Sequence, residues 1–331
     1  MPLARGFRPG RVAERPGCPD NRYSHRCLLP SSLKTKTVNR VLQDLVNLLD
    51  LESLEVNMFR GQSRDLGGKS VYGGQVIGQA LVAAARTVTD AAPHSLHAYF
   101  LRPGDMALPI VYEVDRIRDG RSFTARRVQA IQNGQPILSL IASFQKPESG
   151  SDEHQLPMPE VAQPEDLPFL HDLRRQWVED APDISPRLRE AMTREPAIEF
   201  KHTHPWNPLT PEKREPRQAI WFRATGRLPD EPLLHACVLA YASDFNLLST
   251  ALLPHGRSWF GKDMIVASID HAIWFHRTLR ADDWLLYVMD SPSAQGARGF
   301  SRGLIYDRQK RLVASVAQES LMRHITEPRH E

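Results

Sequence analysis

Cysteine is scarce in this chain: only Cys18, Cys27 and Cys237 occur among 331 residues. Three thiols make no disulfide framework, which fits a reducing compartment, and the expected location is cytoplasmic. No uninterrupted stretch of about 18 apolar residues occurs, so no membrane span is expected. Neither sign of charge dominates, since the net charge is only +3. There is no basic stripe interleaved with stacking aromatics, so nucleic acid is not an expected partner. No group of Cys and His has metal-ligand spacing, so neither a metal nor another cofactor is expected.

The first stretch, residues 1–35, differs from the rest. It carries Arg5, Arg8, Arg11, Arg15, Arg22 and Arg26, with prolines between them. It lacks the apolar core of a secretory signal, and its prolines would break an amphipathic transit helix. It is expected to be a disordered basic extension. The last residues, Thr326 to Glu331, do not spell a Ser-Lys-Leu peroxisomal address.

What is present is a duplication. His94–Gln145 and Ser268–Glu319 read as one unit written twice. His97-Ala98 opens an aromatic-rich strand in the first copy, and His271-Ala272 does so in the second. A repeat of this length implies two copies of one domain packed as a pseudo-dimer. Apolar spacing of three and four predicts a helix over Val38–Leu51. Gly73-Gly74 opens a second helical stretch, Gln75–Val88, apolar nearly all round and therefore buried. Strands follow at His94–Arg102, Pro109–Ile117, Ser122–Ile131 and Pro136–Gln145, with Asn133-Gly134 as a hairpin turn. Lys146–Pro196 is rich in proline and acid and reads as a connection, with a short helical patch at Leu167–Val178. The second copy has strands at Ala197–His202 and Gln218–Ala224. Its helix begins at Asp230-Glu231-Pro232, with Asp230 as N-cap. Further strands are expected at Met264–His276, Trp284–Met289, Arg298–Tyr306 and Leu312–Arg323. Each copy is thus an α+β unit, a sheet wrapped on one buried helix.

Three polar residues stand out, two of them on or beside faces that otherwise bury apolar groups. Asp244 follows Cys237 and Tyr241 at helical spacing, on or beside an apolar face, where a carboxylate is costly unless hydrogen-bonded. Capping the following Phe245–Leu253 segment is the plainer role. The first copy's helix has no acid. Ser268 lies on the strand face of Asp270, Trp274 and His276, opposite Ile269 and Ile273. The spacing that brings His97 onto His271 also brings His94 onto Ser268. Gln318 shares a face with Ala314 and Val316, with Gln145 as its approximate counterpart; an edge position is the plainer reading. Gly73 and Gly74 expose backbone amides at a helix start, where an oxyanion could bind. Arg126 and Arg127, with Arg298 and Arg302 on the matching strand, form either a solvated face or a phosphate site. Gly299-Phe300-Ser301-Arg302-Gly303 has the spacing of a nucleophile elbow. It continues as strand, however, with too little chain after it for that fold.

Longer motifs then carry a resemblance. Phe59-Arg60-Gly61-Gln62-Ser63, Gly73-Gly74-Gln75-Val76, Tyr99-Phe100-Leu101-Arg102-Pro103-Gly104-Asp105 and Arg118-Asp119-Gly120-Arg121-Ser122-Phe123 resemble the acyl-CoA thioesterase II family. So do Ala242-Ser243-Asp244, Ile269-Asp270-His271-Ala272-Ile273-Trp274-Phe275-His276 and Ala297-Arg298-Gly299-Phe300. The resemblance spans about Leu42 to Arg323. It implies an α+β double hot-dog: an N-terminal hot-dog at 36–146, a linker at 147–196 and a C-terminal hot-dog at 197–325. It also implies hydrolysis of acyl-CoA to a free fatty acid and CoA by an activated water. By motif, Asp244, Ser268 and Gln318 would hold that water, and His94 matches a further histidine associated with activity. Acyl-CoA is the implied partner, and a homo-oligomer through the hot-dog sheets is consistent with the duplication. Two rivals are weighed beside this reading. An enoyl-CoA hydratase would need an Asp/His pair over the substrate, but strand alternation sends Asp270 and His271 to opposite faces. A non-catalytic acyl-CoA binding protein would have no use for the Asp, Ser and Gln set.

Overall fold

A computed structural model describes residues 39–150, 152–261 and 263–325. The basic extension, the Ser-Lys-Leu comparison at the C-terminus, Cys18 and Cys27 all lie outside the described residues. The first half contains α1 (Arg40–Leu49), β1 (Glu52–Glu55), β2 (Met58–Gly61), α2 (Gly73–Ala85), β3 (Ala92–Phe100), β4 (Ile110–Asp119), β5 (Phe123–Gln132) and β6 (Gln135–Gln145). The connecting segment carries α3 (Leu170–Glu179) and α4 (Pro186–Thr193). The second half contains β7 (Ile198–His202), β8 (Arg217–Ala224), α5 (Pro232–Ser243), α6 (Leu247–Leu252), β9 (Met264–Ser268), β10 (Asp270–Phe275), β11 (Leu285–Gln295), β12 (Arg298–Tyr306) and β13 (Leu312–His324).

The strands form one continuous sheet in the order β1-β2-β4-β5-β6-β3-β10-β13-β12-β11-β8-β7, with β9 also paired to β13. Outward from the β3–β10 junction, the two halves repeat one sequence of strands. β3 matches β10, β6 matches β13, β5 matches β12, and so on to the edges. The duplication is therefore built into the topology, with Ala98 facing His271 across the junction. Asn133 and Gly134 both take positive φ, the backbone a tight hairpin between β5 and β6 requires.

Alanine and glycine let α2 and α5 pack closely and antiparallel. A Cβ on Gly78 would stand 3.3 Å from the Cys237 carbonyl oxygen. Ile77 and Leu81 of α2, Val238 and Leu239 of α5, and Leu96 and Ile273 of the sheet are fully buried in one core. Each such side chain contributes about 1.5–3 kcal/mol by leaving water. Helical residues Pro232–His255 reach a mean hydropathy of 1.4, but 83% of the most apolar window lies inside the protein. That stretch is the core of the second half.

Several expectations are corrected. Met264–His276 is two strands, because Ile269 and Asp270 together stand opposite Glu319 and the ladder slips there. The slip turns Ser268 to the inward face, shared with His271 and Ile273, and away from the outward face of Trp274. A matching slip in β3 puts His94 and Ser95 opposite Ser143. By these bulges His94 corresponds to Ile269, and Pro93 to Ser268. His97 is accordingly exposed while His271 is buried. Gln318 corresponds to Ala142 rather than to Gln145, and it sits on a central strand, not an edge. Asp230 does not cap α5: Glu231 precedes the helix without a side-chain cap, and Asp230 pairs with Arg280.

Candidate active site

Antiparallel packing sets the last turn of α5 beside the first turn of α2. Asp244 is the C-cap of α5 rather than a residue inside it, and it does not cap α6, which begins after Asn246. Its Oδ2 accepts the backbone N–H of Gly74 at 2.9 Å. Only glycine fits at that approach. A Cβ on Gly74 would lie 2.3 Å from the Tyr241 carbonyl oxygen, and one on Gly73 would lie 2.7 Å from Asp244 Oδ2.

The Ser268 hydroxyl donates to Asp244 Oδ1 at 3.3 Å. Gln318, 0% exposed, donates from Nε2 to Ser268 Oγ at 3.0 Å and to Ser320 Oγ at 3.2 Å. The three expected residues therefore form one connected group, brought together by the inward turn of Ser268. Burial pushes the Asp244 carboxyl above the ordinary aspartate range; His271, the Gly74 amide and the Ser268 hydroxyl oppose that shift. The end of α5 adds negative partial charge, and the start of α2 adds positive. Tyr72 and Tyr287 tie down the last turn of α5 by donating to the Tyr241 and Ser243 carbonyls, both at 3.0 Å.

Asp244 and Ser268 lie on the wall of a cavity of about 960 Å³, walled by apolar groups such as Val76, Phe100, Phe245 and Val266. The connecting segment closes one side with Leu170 and Met192. Gly73 also lines it, with Arg64, Lys69 and Arg102 among the cations.

Other expected site residues lie elsewhere. The His94 ring bonds Ser143 Oγ at 2.8 Å and meets Phe123 edge-on. Phe100, at the other end of β3, donates to the Ile269 carbonyl beside Ser268. His94 is thus roughly 20 Å of strand away from the group, at about 3.3 Å per residue. Arg127 pairs with Asp115, and Arg302 pairs with Asp290 at the equivalent place. Arg298 pairs with Glu319. All three are exposed on the outer face of the sheet. Ser301 is buried in the middle of β12, which continues to Tyr306, so no nucleophile elbow exists there.

Among the described residues the first half holds no second copy of the group. The cross-strand pair Ser301–Gln318 is matched by Arg126–Ala142. Arg126 is 1% exposed and fills that space. Its guanidinium donates to Thr87 Oγ1 at 2.7 Å, the Thr87 carbonyl at 3.0 Å and Asp119 at 2.5 Å. Sequence reasoning missed His271. Its Nδ1 lies 2.6 Å from Gln318 Oε1 and its Nε2 lies 2.9 Å from Ser243 Oγ. With both nitrogens engaged, the ring has none to face a substrate. Asp270 Oδ1 accepts the Glu319 amide, so the pair an enoyl-CoA hydratase would need is absent from this site.

Comparison with known proteins identifies a family and a fold. Residues 195–321 match the family model described as acyl-CoA thioesterase, and residues 62–145 match that of the acyl-CoA thioesterase N-terminal domain. Human acyl-coenzyme A thioesterase 8 is 42% identical over 84% of this chain and 88% of its own length. Acyl-CoA thioesterase 2 of Haemophilus influenzae is 41% identical over 86% of this chain and 98% of its own. The crystal structure of an acyl-CoA thioesterase II from Mycobacterium marinum superposes with a TM-score of 0.69 at 41% identity, covering 85% of this chain and 99% of that one. A hot-dog-fold protein from Alicyclobacillus acidocaldarius, 17% identical with a TM-score of 0.67, shares the fold over 85% of this chain and 98% of its own. With sequence, fold and paired helices in agreement, the chain belongs to the acyl-CoA thioesterase family and has its double hot-dog architecture.

Proposed function

We propose that this chain hydrolyses fatty acyl-CoA to a free fatty acid and CoA, with Asp244, Ser268 and Gln318 holding the attacking water. One observation carries the reading: a buried carboxylate, linked to a hydroxyl and an amide, on the wall of an apolar cavity. The ionised carboxylate takes a proton from water as its oxygen bonds to the thioester carbon. The C–S bond then breaks, and the thiolate of CoA leaves with that proton. Ser268 and Gln318 orient the water, and no covalent acyl-enzyme is needed. The backbone N–H of Gly73, at the start of α2, stabilises the oxyanion. The apolar wall seats the acyl chain. Arg64, Lys69 and Arg102 take the phosphates of CoA, in place of Arg126, Arg298 and Arg302. Tyr99, Ile141 and Trp274, exposed on the outer face near the junction, support assembly of copies through their sheets.

Thiol release from a series of acyl-CoAs of increasing chain length tests the reading. Wild-type protein should release CoA thiol, and Asp244→Asn should not. No release across the series, or an unchanged kcat in Asp244→Asn, would overturn it.

A further inference from the structure

His271 is fully buried, and the mechanism above gives it no task. Its place in the hydrogen-bond chain is nevertheless specific. The Gln318 amide has two orientations of nearly equal shape, which exchange its carbonyl oxygen and its NH₂ group. They are not equivalent for Ser268. With NH₂ toward Ser268, the serine accepts from Gln318 and spends its one proton on Asp244 Oδ1. With the carbonyl toward Ser268, the serine proton is drawn to Gln318 and away from the carboxylate. The first orientation leaves Gln318 Oε1 pointing away from the site, buried, and in need of a donor. His271 Nδ1 stands there at 2.6 Å.

The remaining ring nitrogen fits the same polarity. Burial drives His271 below the ordinary histidine range, against the pull of Asp244, so the ring carries one proton. That proton on Nδ1 makes Nε2 an acceptor, and Ser243 Oγ lies 2.9 Å from it. Ser243, at the end of α5, has one hydroxyl proton to donate, either to the Ala240 carbonyl at 3.0 Å or to Nε2. Donation can run one way from His271 to Gln318 to Ser268 to Asp244, and Ser243 extends it when its proton is turned to Nε2.

We propose that His271 is a positioning residue that locks the Gln318 amide with its NH₂ group toward Ser268. The proposal rests on the catalytic reading of Asp244, Ser268 and Gln318. It separates His271 from an ordinary core side chain, because a core role depends on volume and this one depends on a donor at a single atom.

Two substitutions make that distinction. The amide nitrogen of Asn lies as many bonds from Cα as Nδ1 of His, whereas that of Gln lies one bond further, as Nε2 does. His271→Asn can still donate to Gln318; His271→Gln, nearer to His in volume, cannot do so from the same place. His271→Gln should lower kcat about 10²-fold with little change in KM, while His271→Asn stays within about fivefold of wild type, the scale expected for one positioned donor. Thermal melts of both confirm that they fold. In the Gln318→Ala background, His271→Gln should cost nothing more, because it acts through Gln318. Equal kcat in the two variants, or a better His271→Gln, overturns the proposal, as does a full loss from His271→Gln when Gln318 is already Ala. Asp244→Asn and Gln318→Ala are measured in parallel. Wild-type kcat in those two would sink the catalytic reading itself, whereas their loss beside matched His271 variants removes only the role of His271.

Discussion

Asp244 Oδ2 accepts a 2.9 Å hydrogen bond from the backbone N–H of Gly74 across 170 residues of chain. The first half of the molecule thereby helps hold the carboxylate of the second. Gly74→Ala should disturb both stability and catalysis, since its Cβ would lie 2.3 Å from the Tyr241 carbonyl oxygen and 2.6 Å from the Tyr72 ring. The expected cost is about 1–3 kcal/mol, as for other overpacked sites. Melting curves should show it, and kcat should fall more than the lost stability explains. A variant with wild-type kcat would detach α2 from the site.

The role proposed for Asp244 sets the expected pH dependence. Burial raises its carboxyl above the ordinary value of 3.8, and the base must be ionised to act. The acid limb of kcat/KM should therefore lie above that value. Because the folded pKa is raised, the stability linked to this group is present below the unfolded pKa and is lost as pH rises through the folded pKa. Above the folded pKa the ionised carboxylate is a burden on the fold. Asp244→Asn should then melt at or above the wild-type temperature while kcat drops about 10²–10⁴-fold. A large fall in melting temperature would contradict this account.

The arginines separate by place. Arg126→Ala strips the partner from the buried Thr87 carbonyl and should cost about 1–3 kcal/mol while leaving KM unchanged. Arg298→Ala and Arg302→Ala, on the exposed face, should shift stability by no more than about 1 kcal/mol and leave KM alone. Arg64→Ala or Arg102→Ala should raise KM about tenfold, equivalent to about 1.4 kcal/mol of lost binding. A KM that moved with Arg302 and not with Arg102 would put the phosphates of CoA on the outer face.

The Cys237 thiol is buried and has no part in the proposed chemistry. Burial pushes it up to about 12, so it is not ionised at neutral pH. Alkylating reagents should leave thioester hydrolysis unchanged in the native protein and should label Cys237 only after unfolding. Mass spectrometry of the labelled chain distinguishes the two cases.

Much of the scaffold was legible because local rules and the tertiary fold agree. Alternating burial and Asn133-Gly134 placed β5 and β6 to within a residue or two, and the all-round apolar stretch after Gly73 marked the buried helix. The inward turn of Ser268 was not legible. Ile269 and Ile273 keep an unbroken period of two, and nothing local shows that one extra residue stands opposite Glu319. The matching slip at His94 made the two copies appear to align one residue away from where the sheet aligns them. His271 sat within an aromatic strand beside Asp270, and its partners lie on β13 and at the end of α5. The proline-rich connection showed α3 as the short patch at Leu167–Val178 but concealed α4.

Arg126 opposite Ala142, where Ser301 stands opposite Gln318, changes how many ligands the molecule can process. A symmetric pair of hot-dogs would offer two equivalent centres. Here one of them is filled by a guanidinium bonded to neighbouring backbone and to Asp119, so occupancy of the proposed centre has no twin to report to. A tight, non-hydrolysable acyl-CoA analogue should titrate at one equivalent per chain, without half-of-sites behaviour inside it.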